Sequence, residues 1–307
     1  MYGGGVVSAR WRPWTAAILV MGLSMVLGCD GDDYSSTDEP YRIGAMELNG
    51  DGEFHEWAPG DEHVSRWFDE ALGDSDRGVS SSAEGMEMDL SVHHEVRLVE
   101  LEHGARLEVD VEAQATRSVV SSSSPMVTLS AEANYQHPLA RGRPSEQVLH
   151  ALSRTMGHQA VGDVVEQLRL RARIRQSSSA EVAELIADKR ADEEERLYAI
   201  EHVVQTKTKS AVPGLEQAVE DQNLDVSTAA ARALYALEAD SAAHGLMHVA
   251  QRLSRDKEYD RYLQLLPLLS QLDAPWVSIY LETVAKAHQA PRIRERVRSV
   301  MDPQVAR

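Results

Sequence analysis

The chain has 307 residues, 49 acidic side chains against 31 lysines and arginines, a formal net charge of -18, and one cysteine. Negative charge on that scale excludes a general nucleic-acid binder, because a polyanion is repelled, and one cysteine excludes both an internal disulfide framework and a thiolate metal cage. Hydrophobic residues make up 43% of the sequence, which is material for a core and excludes wholesale disorder.

Residues 1–28 hold two arginines, Arg10 and Arg12, and no acid, followed by an apolar run from Trp14 to Leu27. The run is short for a membrane span and has the flanks of an export signal. It ends Val26-Leu27-Gly28-Cys29, which resembles the lipobox of bacterial lipoproteins. The resemblance implies that Cys29 is lipidated and becomes the first residue of the mature chain, held to a bilayer by its acyl chains. It also implies a place in the cell envelope, on the exported side of a bacterial membrane, at the periplasmic face or the cell surface.

From Cys29 to Asp89 there are eighteen acids and three arginines, so most of the net charge lies in this fifth of the chain. Like charges with Gly, Ser and Asp in excess predict an extended, disordered acidic tether over 29–89. Asn49, Asp51 and Glu53 alternate as in a calcium loop, but Phe54 and Gly60 occupy the positions that need glycine and glutamate, so an EF-hand is rejected. Within the tether, Val64, Trp67, Phe68 and Leu72 recur at helical spacing and Gly73 follows, which predicts a short helix over 61–72. Such a helix must dock, either on the protein's own folded part or in a partner groove filled by Trp67 and Phe68.

Over 90–175 the period changes to two. Leu90, Val92, Val96 and Leu98, then Leu107, Val109, Val111, Ala113 and Ala115, then Val127, Leu129, Ala131, Ala133 and Tyr135 predict three antiparallel strands. Ser145 begins a helical pattern, Val148, Leu149, Leu152 and Met156, that supplies covering helices. His93 and His94 are adjacent in a strand and point to opposite faces, so they do not share an ion. Arg169, Arg171, Arg173 and Arg175 alternate with apolar residues and form a basic cluster in an acidic chain, a candidate surface for the tether or an anionic partner.

From 176 to 307 the pattern is helical, with a period of a little over thirty residues. Four helix pairs are predicted: 178–190 with 192–205, 209–221 with 224–238, 242–254 with 257–272, and 275–289 with 291–301. The unit Ala211-Val212-Pro213-Gly214-Leu215, Asp221, Asp225-Val226, Ala230-Ala231, Ala233-Leu234 resembles the HEAT repeat. The resemblance implies a solenoid of helix pairs that contacts partners through one face, with an aspartate tying the turn inside each pair. Ser227 stands where that family usually carries arginine. Stacking is also what the physics requires, since one amphipathic pair leaves apolar surface uncovered.

The expected fold is therefore α+β, a small antiparallel sheet module followed by a HEAT-like helical stack. The expected function is a membrane-anchored scaffold for an unidentified protein partner, with no nucleic acid, no cofactor and no catalytic residues. Two alternatives are a lyase-type enzyme or enzyme subunit holding a small prosthetic group, and a ligand sensor built on the sheet. His244 and His248, four apart on a predicted helix, have a spacing that suits one metal ion, although no third ligand lies near them in sequence. Ser254 and Lys257 have the Ser-x-x-Lys spacing of some acyl enzymes without the accompanying motifs. No phosphate loop, nucleophile elbow or paired-carboxylate motif occurs.

Overall fold

The computed structural model describes residues 41–50, 57–73, 79–80, 86–117, 127–139 and 144–301. They fall into two compact units, the first ending at Gln176 and the second beginning at Ser177. Cys29, the stretch 1–28 expected to be an export signal, Asp51 and Glu53 lie outside the described residues. No helix of the described residues is long and apolar enough to cross a membrane.

The first unit contains β1 (Tyr41–Gly50), α1 (Asp61–Leu72), β2 (Val79–Ser80), β3 (Met86–Leu101), β4 (Gly104–Arg117), β5 (Thr128–Leu139) and α2 (Glu146–Gln176). The strands form one mixed sheet in the order β2-β1-β3-β4-β5. β3, β4 and β5 are antiparallel, as their alternation predicts, while β1 runs parallel to both β2 and β3. Parallel neighbours need a crossover, and the chain between β1 and β3 supplies one through α1.

The helix expected over 61–72 is present, but the tether reading is corrected where residues 41–50 are a strand and 86–89 the start of β3; residues 29–40 lie outside the described residues. The sheet also enlarges the expected three-stranded antiparallel module to five strands. Apolar residues meet across the added pair, Ile43 opposite Met88, Met46 opposite Leu90 and Leu48 opposite Val92. β1 itself carries one acid, Glu47, and its Arg42 pairs with Glu87 of β3 at 3.0 Å.

One sheet face carries the core: Leu90, Val92, Leu107, Val109, Val111, Ala113 and Leu129 are buried together with Val64, Trp67, Phe68 and Leu72 of α1. α2 covers them as one helix of 31 residues, where several covering helices were expected. Its buried side includes Met156, Ala160, Val161, Val164, Val165 and Leu168. Gly157 makes room for α1, since a Cβ there would lie 2.8 Å from the Trp67 ring. The β3–β4 turn closes at Gly104, whose φ of +153° suits glycine.

The second unit is a succession of helix pairs: α3 (Ser179–Ala187) with α4 (Glu193–Thr206), α5 (Val212–Val219) with α6 (Leu224–Ala236), α7 (Ala242–Arg255) with α8 (Tyr259–Ser270), and α9 (Pro275–Ala287) with α10 (Pro291–Met301). These match the predicted pairs to within a few residues at each end. A single 3-10 turn, Lys209–Ala211, leads into α5. Local chemistry sets several boundaries. Ser178 and Glu181 form a reciprocal capping box on α3, and Asp192 and Asn223 cap α4 and α6 with their side-chain oxygens. Packing extends beyond sequence neighbours: α3 contacts α5, α4 contacts α6, α5 contacts α7 and α8 contacts α10. The α3–α5 approach is close enough that a Cβ on Gly214 would lie 2.4 Å from the Ala183 carbonyl oxygen.

Candidate interaction surface on the second helices

Polar side chains tie α4, α6 and α8, each the second helix of its pair, to the pair that follows. Arg196, in the first turn of α4, is buried. It donates through Nε to the Ile186 carbonyl at 3.0 Å and through Nη1 to Asp221 Oδ2 at 2.8 Å. Asp221 Oδ1 accepts from the Asn223 N–H at 2.7 Å, and Asn223 Oδ1 in turn accepts from the Asp225 N–H at 2.8 Å. Burial pushes the Asp221 carboxyl up, but the Asn223 N–H, the Arg196 guanidinium and Lys189 outweigh it and hold the group below its ordinary value. Arg252, from the last turn of α7, reaches the same turn and donates to the Asp221 carbonyl, to the Gln222 carbonyl at 3.0 Å and to Ser227 Oγ at 3.4 Å.

Two further ion pairs repeat along the unit. Asp225, the second residue of α6, meets Arg261 of α8 at 2.8 Å, and Asp260, the second residue of α8, meets Arg292 of α10 at 2.5 Å. Each carboxylate sits at a helix amino end, where the dipole favours it. Both pairs are well exposed, so they fix register more than they stabilise.

Farther along α6 and α8, Arg232 Nη2 donates to Gln264 Oε1 at 3.3 Å and the Tyr235 hydroxyl donates to Gln271 Oε1 at 2.7 Å. Among the described residues Arg232 pairs with no carboxylate. Burial alone pulls its guanidinium below the ordinary value, and its Nε is buried without a hydrogen-bond partner. Thr228, one turn earlier, likewise has a buried Oγ1 with no partner. The sequence reading passed over Arg196, Thr228 and Arg232. The usable signal was an arginine set between Ala231 and Ala233 on a helix expected to pack through small residues.

The residues singled out from sequence go elsewhere. His244 stacks on Trp276 with ring centroids 4.7 Å apart, and His248 Nε2 lies 3.5 Å from Glu220 Oε2. The two imidazoles are engaged separately, and no group of three or more potential ligands is placed to hold a metal among the described residues. Ser254 lies beside His288 instead of taking part with Lys257, its Oγ 3.0 Å from Nε2. The Ala290 N–H donates to His288 Nδ1 at 3.1 Å, so the neutral ring carries its proton on Nε2 and donates to the serine. A general base for serine must offer that lone pair. The contact is a helix-end cap.

In the first unit, Trp67 and Phe68 are core residues, 7% and 0% exposed, which corrects their candidacy for a partner groove. Trp67 lies edge-on to His158, and α1 docks on its own sheet and on α2. The four arginines of α2 do not form one basic face, because residues two apart on a helix point to different sides. Arg169 donates to the Ala71 carbonyl of α1 at 2.8 Å, and Arg171 donates to Ser130 Oγ of β5 at 3.1 Å. Arg173 is exposed. Arg175 acts on Tyr41, whose hydroxyl is pushed up by burial and drawn back by Arg175 and Arg117.

No family model matches this sequence, and no curated protein matches it. The site must be read from its own chemistry. Along α6, α8 and α10 the polar side chains described above engage one another from pair to pair.

Proposed function

We propose that this protein is an exported lipoprotein, anchored through Cys29, whose HEAT-like helical stack is a scaffold for a protein partner. The observation that carries the reading is the packing in the second unit, where α3 contacts α5, α4 contacts α6, α5 contacts α7 and α8 contacts α10, and the Asp225–Arg261 and Asp260–Arg292 pairs repeat along it. Repetition of that kind builds a surface that is long in one direction and assembled from like positions, which suits a protein ligand better than a small enclosed one. The anchor is supported by the basic start, the apolar run and the position of Cys29 behind it.

Two measurements test the reading. Cys29→Ala is expected to move the protein from the membrane fraction to the soluble fraction. A photo-crosslinking side chain at the exposed position of Gln264 on α8 is expected to trap one recurrent protein, whereas the same probe at exposed Gln251 on α7 is expected not to. Unchanged fractionation defeats the anchor, and equal or absent trapping at both positions defeats the scaffold.

A further inference from the structure

The two borders of the sheet are finished differently. On β5, Gln167 of α2 fills the Glu132 N–H and C=O, and Pro138 near the strand's end has no N–H to offer. On the other border β2 reaches only Tyr41 and Arg42, and among the described residues no strand lies beyond β1 from Met46 to Gly50. That stretch holds no proline and no lysine, two common means of blunting an edge. The apolar face is also unfinished there. Met46 and Leu48 stay half-buried, although Leu90 and Val92, their neighbours across the pair, are buried. Glu47, Asn49 and Gly50 are exposed, so the border is open to solvent.

We infer that residues 46–50 of β1 pair with the same residues of a second copy of this chain, antiparallel about a two-fold axis at Leu48, so that two five-stranded sheets become one. The inference concerns the first unit and stands independently of the scaffold reading. Self-pairing fits because the stretch is complementary to itself, as an isologous contact requires. Register with β3 sets Met46, Leu48 and Gly50 on the core face, in line with Leu90, Val92 and His94, and sets Glu47 and Asn49 on the other face. Directly opposed residues share a face. With the axis at Leu48 that residue meets its own counterpart, Met46 meets Gly50, and Glu47 meets Asn49. The long side chain then lies against the residue that has none, and the acid lies against an amide. Moving the axis to Glu47 sets that acid against its own counterpart, which is destabilising. Moving it to Asn49 leaves Met46 with no opposing residue in the strand. Five paired residues make a small interface, so a dissociation constant on the order of 10–100 µM is expected.

The test uses the full chain carrying Cys29→Ala, so that an introduced thiol is the only one. Sedimentation equilibrium is expected to show the mass rising with concentration from one copy to two. Asn49→Glu, at an exposed position, sets acid against acid twice across the axis and is expected to weaken association roughly three- to tenfold. Adding Glu47→Lys to that variant turns both contacts into opposite-charge pairs and is expected to restore the dimer. Leu48→Cys is expected to form a disulfide-linked dimer under mild oxidation, whereas Ala45→Cys, roughly 20 Å from its own counterpart at the rise of a strand, is not. A mass that stays at one copy up to about 1 mM overturns the inference, because even the weakest specific contacts associate in that range. So does a dimer that Asn49→Glu leaves unchanged, one that the added Glu47→Lys fails to restore, or crosslinking that is equal at positions 45 and 48.

Discussion

Asp221 and Arg196 show how much of the second unit hangs on one buried contact. With side chains 8% and 4% exposed, they are desolvated together and pair with each other while also holding the Asn223 N–H and the Ile186 carbonyl. Removing one partner leaves a buried charge, so Arg196→Met is expected to destabilise the unit by about 3–5 kcal/mol in urea titration. The same pair predicts acid sensitivity. The folded Asp221 value lies below the ordinary 3.8, so the unfolded chain takes up this proton first as pH falls. Its stabilisation is complete above the unfolded value and is lost as pH drops through the folded one. Asp221→Asn is expected to be less stable than the wild type at neutral pH and flatter below about pH 4. His94 predicts a second pH effect with its own window. It is buried, its Nε2 lies 3.6 Å from Asp61 Oδ1, and burial lowers its value below 6.5, with Asp61 and the Pro59 backbone opposing and His93 assisting. The unfolded state binds more protons between the two values, so stability is expected to fall as pH drops below about 6.5 and level off under the folded value. A urea midpoint that does not change between pH 7.5 and 5.5, relative to a His94→Gln control, contradicts this.

Among the elements, the strands and helices with unbroken periods are the ones legible in the sequence. β3, β4 and β5 alternate cleanly, and the eight helices over 178–301 follow their apolar spacing. β1 escaped because its apolar residues run Tyr41, Ile43, Met46, Leu48, and the register shifts between Ile43 and Met46. A bulge adds one residue to a strand and breaks the period of two that pattern reading depends on. The acids around β1 then made the segment look like solvated tether. α1 was legible as an amphipathic helix, but its docking site was not, because Gly157 and the sheet face that receive Trp67 lie far away in sequence. The arginines of α2 looked like one patch because the sequence shows composition before it shows which side of the helix each residue takes. Edge protection was also hidden. The buried Gln167 side chain accepts from the Glu132 N–H at 3.3 Å and donates to the Glu132 carbonyl at 3.0 Å, filling both main-chain groups on the open side of β5. Gln167→Leu is expected to cost about 1–3 kcal/mol and to raise hydrogen exchange at the Glu132 amide, because an unpaired strand edge is left behind. Unaltered exchange there would mean that the amide is protected by something else.

At the scale of the whole molecule, the second unit differs from the first in how its contacts are distributed along the chain. The sheet closes one core by bringing β1, β3, β4 and β5 under α1 and α2, so its contacts join distant parts of the sequence. The helix pairs contact mostly the next helix and the one after it. Stability in such a chain is a sum of local pieces, and damage spreads to neighbours first. Gly214→Ala at one end and Ile293→Ala at the other test that consequence. The added methyl at Gly214 would meet the Ala183 carbonyl oxygen at 2.4 Å, and backbone cannot yield as a flexible side chain does. A cost of about 1–3 kcal/mol is expected. Ile293 is fully buried, and truncating it is expected to cost about 2–5 kcal/mol. Hydrogen exchange should then show protection falling in α3, α5 and their immediate neighbours for the first variant, with α9 and α10 unchanged. The second variant should loosen α8, α9 and α10 while α3 and α4 keep their protection. If either substitution lowered protection evenly from α3 to α10, the unit would open as a single cooperative body, and repetition along the chain would be a matter of shape without independence of its parts.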